Sequence, residues 1–222
     1  MDSLYTTQTP DNLIGGSSVQ LLTKGGVQAV SQALTRGAVL GKIKVAAGTA
    51  VTPAGNTGKG LISGFALAAG GPAKIGNYSV VCAIIASGGG TFNVSDPNGQ
   101  LVGIIKVGAT FVGDGITFTI ADGDPDFALG DYFTLPVVAG LGYYKLIDKA
   151  AVDGSNKFDG VLLRDCTTVG STDKITVAVG GSFMSQALTF ASGTVLADVV
   201  DDMRALGCYV DVTDSDNNRI AE

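Results

Sequence analysis

The stretch from Gly76 to Val138 constrains the fold most. Four times in it a turn residue is followed closely by an aromatic, in GNYSVV, GGTFNV, GDGITFTI and GDYFTL, with Ser, Thr or Asn alternating against apolar neighbours. Successive side chains of a strand point to opposite faces, so this alternation is the mark of half-buried strands, whereas a helix would repeat its apolar positions every 3.6 residues. The pattern predicts that Tyr78, Phe92, Phe118 and Phe133 share an inner face with Val80, Val94, Ile116, Ile120 and Leu135. Turn residues separate the strands at Ser87 to Gly90, at DPNG from Asp96 to Gly99, at Gly113 to Gly115, and in DGDPDFALGD from Asp122 to Asp131. With a further strand at Leu101 to Val107, the stretch reads as a compact antiparallel β module that can fold by itself.

The flanking chain also reads as short strands. Only 15% of the residues are charged and 33 of 222 are glycine, which suits tight turns better than long helices with charged outer faces. Before the module, QLL, VQAV and AVLGKIKVAA are apolar stretches separated by Lys24-Gly25-Gly26 and by Arg36-Gly37; the reading is strand, connection, strand. Residues 49–76 are loop, with at most one strand near Leu61 to Leu67. After the module come strands at Tyr143 to Ile147, Gly160 to Arg164 and Lys174 to Phe183, with a last one at Tyr209 to Val212. One helix is expected, capped by Thr194 and stopped at Gly207, with Val195, Leu196, Val199, Val200, Met203 and Leu206 on its apolar stripe and Asp198, Asp201, Asp202 and Arg204 facing water. The fold class is therefore mainly β with one C-terminal helix.

Several kinds of chemistry are set aside. Histidine is absent, which removes the commonest general base near neutral pH and the usual triads, and Ser182 in GGSFM lacks a nucleophile elbow. A net charge of −6 with no basic stripe argues against direct nucleic-acid binding. GNTGKG, Gly55 to Gly60, superficially resembles a phosphate loop, but Pro53 stands where the pattern needs its first glycine and Gly60 where it needs Ser or Thr. DGDPDFALGD has alternating acids like a calcium loop, yet Phe127 and Phe133 occupy the positions that require glycine and glutamate. Asp214, Asp216 and Asn218 repeat that hint too close to the chain end. Cys82, Cys166 and Cys208 lie in apolar stretches and read as buried thiols of a reducing compartment. No cofactor and no metal is expected. The N-terminus lacks the base and the apolar run of a signal peptide, and no run approaches the about 18 residues of a membrane span; the expectation is a soluble protein without a membrane partner.

Residues 1–18 are polar, carry Pro10 and Gly15-Gly16, and show no periodicity beyond Leu13-Ile14. Such a segment either docks as an added strand on a partner's sheet edge or hangs as a tail.

Four segments in order carry a resemblance: LTRGAVLGKI at Leu34 to Ile43, GVLLRD at Gly160 to Asp165, VGGSF at Val179 to Phe183, and the terminal helix running into RALGCYV. Together they resemble the lambda-type bacteriophage head decoration protein family, in which an L-x-R-G-x-V-L-G segment precedes the first core strand, G-I-L and G-x-F strands follow, and a helix ending L-R-x-x-G-I closes the core. The matched parts span 19–50 and 141–213. The resemblance implies a small β-clip-like core from residues 19–54 and 141–222, interrupted by the 55–140 module, with 1–18 as an arm. Gly37 would turn the chain at the mouth of the core, and Val39, Leu40 and Ile43 would enter it. It further implies a non-enzymatic virion protein, made in the host cytoplasm, that trimerises on the outer surface of the mature head, stabilises it against DNA pressure, and binds the major capsid protein through the arm. The contact residues would be Leu4, Tyr5, Thr6, Thr7, Leu13 and Ile14. Two rivals stand beside it: a tail-associated structural subunit, and an adhesin whose β module binds carbohydrate through exposed aromatics.

Overall fold

Every alternating stretch between Gly76 and Val138 is a strand. The computed structural model describes residues 12–15, 19–29, 32–69, 71–166 and 173–212. In chain order they form β1 (Leu22–Val27), β2 (Val39–Lys42), β3 (Val45–Ala47), β4 (Leu61–Leu67), β5 (Gly76–Ala86), β6 (Gly89–Ser95), β7 (Leu101–Lys106), β8 (Thr110–Gly113), β9 (Ile116–Ala121), β10 (Tyr132–Ala139), β11 (Tyr144–Leu146), β12 (Phe158–Leu162), β13 (Lys174–Met184), the helix α1 (Val200–Ala205) and β14 (Cys208–Asp211). They fall into two units. One comprises the described residues up to 42, 143–150 and those from 155 on; the other comprises 43–142 and 151–154.

The second unit holds a five-stranded sheet, β3-β10-β5-β6-β7, and a three-stranded one, β4-β9-β8, both antiparallel. All nine residues expected on the inner face are buried in one cluster. Phe111 and Phe127 join them: Phe127 meets Phe92 edge-on with ring centroids 4.9 Å apart and Phe133 at 5.8 Å, and Phe111 tilts over Phe118 at 5.1 Å. Each such ring removed from water stabilises the unit by about 1.5–3 kcal/mol. The β8–β9 hairpin turns on Asp114 (φ 47°) and Gly115 (φ 78°), the two left-handed residues that a type I′ turn requires.

The expected boundary after residue 54 moves to residue 42. Residues 43–54, expected with the flanking core, lie in the second unit: β3 pairs with β10, Val45 opposite Ala139 and Ala47 opposite Val137, and Val51 bridges Thr134. The carbonyl of Asp153 accepts from the Lys44 and Val45 amides, which draws 151–154 to the same unit. Ile43, expected in the flanking core, is half-buried in the second unit. The apolar run AVLGKIKVAA is thus divided between two cores, which periodicity alone does not register.

The first unit is a sheet in the order β1-β13-β12-β2-β11, with β14 parallel to the end of β13. Lys24-Gly25-Gly26, expected as a connection, lies inside β1, with Lys24 opposite Val177, Gly25 opposite Thr176 and Gly26 opposite Ile175. Gly26 is needed there because a Cβ would strike the Tyr144 ring. Gly37 takes φ +91°, as the turn expected of it demands, and a Cβ on it would collide with the Ala187 carbonyl. Val39 and Leu40 behind it are fully buried.

The helix is shorter than its stripe predicts. Residues Leu196–Asp198 make a single 3-10 turn, and α1 runs only over Val200–Ala205. Thr194 does not cap it; its Oγ1 accepts the Lys149 amide, while the Asp198 carboxylate takes the Val195 amide. Val199 and Met203 are buried, but Val195 and Leu206 are exposed. Gly207, at φ +77°, ends the helix as expected.

Candidate functional site

The N-terminal segment enters the first unit through a short backbone pairing with β13. The Met184 amide donates to the Leu13 carbonyl at 2.9 Å and the Gly15 amide to the Ser182 carbonyl at 2.8 Å, on either side of an antiparallel bridge between Ile14 and Phe183. Leu13 is 1% exposed and packs in the cluster that holds Phe183, Val199 and Met203. Asn12 accepts from the Arg36 guanidinium at 3.2 Å. At Gly15 a Cβ would run into the Asp211 carboxylate and the Ser182 hydroxyl, which hydrogen-bond to each other at 2.8 Å. Glycine is what lets the chain pass.

Of the six expected contact residues, Leu13 fills this chain's own core and Ile14, half-buried, bridges Phe183 on β13, so the two anchor the leader. Leu4, Tyr5, Thr6 and Thr7 lie outside the described residues, as do Asp214, Asp216 and Asn218. The anchoring role was visible only as an isolated Leu-Ile pair in a polar segment.

Charged clusters serve as clasps. In the first unit the Asp159 carboxylate accepts from Lys24 Nζ at 2.9 Å and from the Tyr144 hydroxyl at 2.6 Å, with Lys42 Nζ 5.7 Å from the Tyr144 ring centroid. Burial opposes ionisation of Asp159, but the Tyr144 and Lys24 hydrogen bonds outweigh it and hold the carboxyl below its usual range. In the second unit Asp131 is buried and accepts from the amides of Thr57, Gly58 and Ala128 at 2.8–2.9 Å. Burial again resists, and the three amides, with Lys59 nearby, keep Asp131 ionised below the ordinary carboxylate range. The GNTGKG loop therefore aims its amides at an anion after all, one supplied by DGDPDFALGD. Each loop by itself has the look of a site for an external ligand, and in the fold the two complete each other. Asp96, likewise lowered, takes Lys74 Nζ at 2.6 Å and the amides of Asn98 and Gln100 in the DPNG turn.

Cys82, Cys166 and Cys208 are buried and none is in a disulfide. Burial pushes the Cys208 thiol up to about 11, so it stays protonated and weakly nucleophilic at neutral pH. Among the described residues no group of three or more His, Cys, Asp or Glu is placed to hold a metal ion, and no helix is long and apolar enough to cross a membrane.

Strands that pack, acids that tie loops together and a leader pinned to β13 define a β-built protein whose polar clusters hold its own loops and strands. The chain belongs to the family of bacteriophage lambda head decoration protein D, which matches it over residues 6–207. It is thereby a member of a structural family of the phage virion, in keeping with the order of the four segments. No curated protein matches the chain. Among solved structures, two crystal forms of FlgL from Xanthomonas campestris align at 27% and 28% identity over 47% and 48% of this chain, with TM-scores of 0.33 and 0.34. The chain covers 32% of the length of each, and a likeness that loose carries no argument about fold or role.

Proposed function

We propose that this protein is a capsid cement: a homotrimer on the outer surface of the expanded head that binds the major capsid protein through residues 4–7 and stabilises the shell against the packaged DNA. Family membership supports the setting, and the observation that carries the arm is the anchor at Leu13 to Gly15. Two ladder hydrogen bonds and a buried leucine fix where the leader departs, so a strand added from it to a neighbouring sheet edge is coupled to a packed core. Main-chain pairing supplies adhesion without any catalytic group, and the role is non-enzymatic.

The energetics are those of linkage. A ligand that binds the assembled lattice and not its dispersed subunits stabilises the lattice by about 2.7 kcal/mol per site at a hundredfold excess over its dissociation constant. Repeated over a shell, modest affinity per site suffices. A chain with a net charge of −6 also has no attraction for DNA inside the shell.

The test is co-sedimentation with expanded heads lacking their decoration. Removing residues 1–11 spares the anchor and is expected to abolish attachment while leaving the thermal transition of the chain cooperative. Attachment undiminished by that deletion would overturn the arm's role, and failure of the full chain to attach would overturn the whole reading.

A further inference from the structure

The chain holds two Asp-Pro bonds that the fold treats differently, Asp96–Pro97 in the DPNG turn and Asp124–Pro125 in the DGDPDFALGD connection. An aspartate carboxylate can close a five-membered ring on its own main-chain carbonyl, and the proline nitrogen that it must expel carries two alkyl substituents and no hydrogen, which makes it more basic than an ordinary amide nitrogen. An internal nucleophile held in reach acts at an effective concentration far above that of any solute. The ring closes only where the carboxylate is free to turn. Asp96 is not: its side chain is fully buried and takes Lys74 Nζ at 2.6 Å and the amides of Asn98 and Gln100 at 2.9 and 2.8 Å. Pro97 is packed as well, since a Cβ on Gly76 would lie 2.6 Å from its ring. Asp124 and Pro125, by contrast, are exposed, and the Asp124 carboxylate has no hydrogen-bond or ion-pair partner among the described residues. The charged groups of the surrounding loops are engaged elsewhere: Asp126 accepts the Gly88 amide with Asp122 beside the same glycine, Asp131 takes three loop amides, and Lys59 Nζ donates to the Asn56 carbonyl. The backbone on either side is fixed, with Gly123 against the Lys59-Gly60 peptide, the Pro125 carbonyl taking the Lys59 amide at 3.1 Å, and Phe127 buried.

We propose that Asp124–Pro125 is a self-cleavage site of the folded chain, with the Asp124 carboxylate as nucleophile and water as co-substrate. A carboxylate oxygen of Asp124 bonds to its own main-chain carbonyl carbon, the C–N bond to Pro125 breaks, and a proton from a solvent acid ends on the proline nitrogen. Water then opens the cyclic anhydride, leaving Asp124 as a new carboxyl terminus and Pro125 as a new amino terminus. One water is consumed and nothing is oxidised or reduced. The cut falls between β9 and β10, and Ile116, Phe118 and Ile120 before it share one buried cluster with Phe127, Phe133 and Leu135 after it. The Asp131 carboxylate and the Pro125 carbonyl, both after the cut, are tied to amides of residues 57–59 before it. The two pieces therefore stay assembled, and the nick turns a closed connection into two free ends at the surface of the second unit.

Mass spectrometry of the purified full chain after weeks at about pH 4.5 tests this, because mild acid supplies the proton while Asp131 stays ionised and the second unit folded. Fragments 1–124 and 125–222 are expected, outnumbering those from Asp96–Pro97 by about tenfold or more. In denaturant, where both carboxylates turn freely, the two bonds should be cut to similar extents. Asp124→Glu, whose carboxylate would have to close a six-membered ring, is expected to lower the cut at least about tenfold with the thermal transition unshifted. Without denaturant the nicked chain should elute with the intact one in size exclusion. Equal cutting of the two bonds in the folded chain, absence of the cut after Asp124 in the folded chain, or a cut undiminished by Asp124→Glu overturns the proposal. Separation of the fragments without denaturant overturns their continued assembly. None of these outcomes bears on attachment to heads.

Discussion

Asp131 shows how much one side chain can hold. Its carboxylate ties two connections that are far apart in sequence, and its proton affinity is lowered in doing so. A group whose folded pKa is depressed contributes stability that is complete above its unfolded value, near pH 4, and is lost as pH falls through the folded value. The second unit should therefore loosen on acidification below about pH 4. Asp131→Asn, which cannot accept from all three amides as an anion does, is expected to cost about 2 kcal/mol at pH 7 and to flatten that part of the acid dependence, as thermal melts at several pH values would register. Gly37 is the corresponding backbone case. At φ +91° with the Ala187 carbonyl behind it, Gly37→Ala should lower the stability of the first unit by at least about 2 kcal/mol, read as a fall in its melting midpoint.

Elements announced themselves where local pattern and burial coincide. The β5, β6, β9 and β10 strands alternate because one face is sealed and the other wet, so Tyr78, Phe92, Phe118 and Phe133 could be assigned inward from spacing alone. β1 could not: its Lys-Gly-Gly centre has poor strand propensity and is held extended by β13 and by the Tyr144 ring filling the space over Gly26. The α1 stripe overreached because Val195 and Leu206 have the right period and no partner to bury against. The candidate site was legible only in part. A polar leader is plain in the sequence, whereas the anchoring of Leu13 depends on a pocket built by Phe183, Val199 and Met203, more than 160 residues later. Leu13→Ala is expected to destabilise the first unit by about 2–5 kcal/mol, and hydrogen exchange at the Met184 and Gly15 amides should quicken with it.

At the scale of the molecule, the buried residues of the second unit form a cluster that shares no member with the two clusters of the first. Substitutions in one should report on that one. Differential scanning calorimetry is expected to separate two transitions, with Leu13→Ala lowering one and Asp131→Asn the other; movement of both together by either substitution would show a single cooperative block. The pinning of residues 13–15 along β13 has a mechanical consequence. Tension applied to the amino terminus is carried in shear, the two ladder hydrogen bonds at Leu13 and Gly15 straining together instead of parting in sequence like a zip. From there the pull passes into the longest strand of its sheet, braced by β1, β12 and β14.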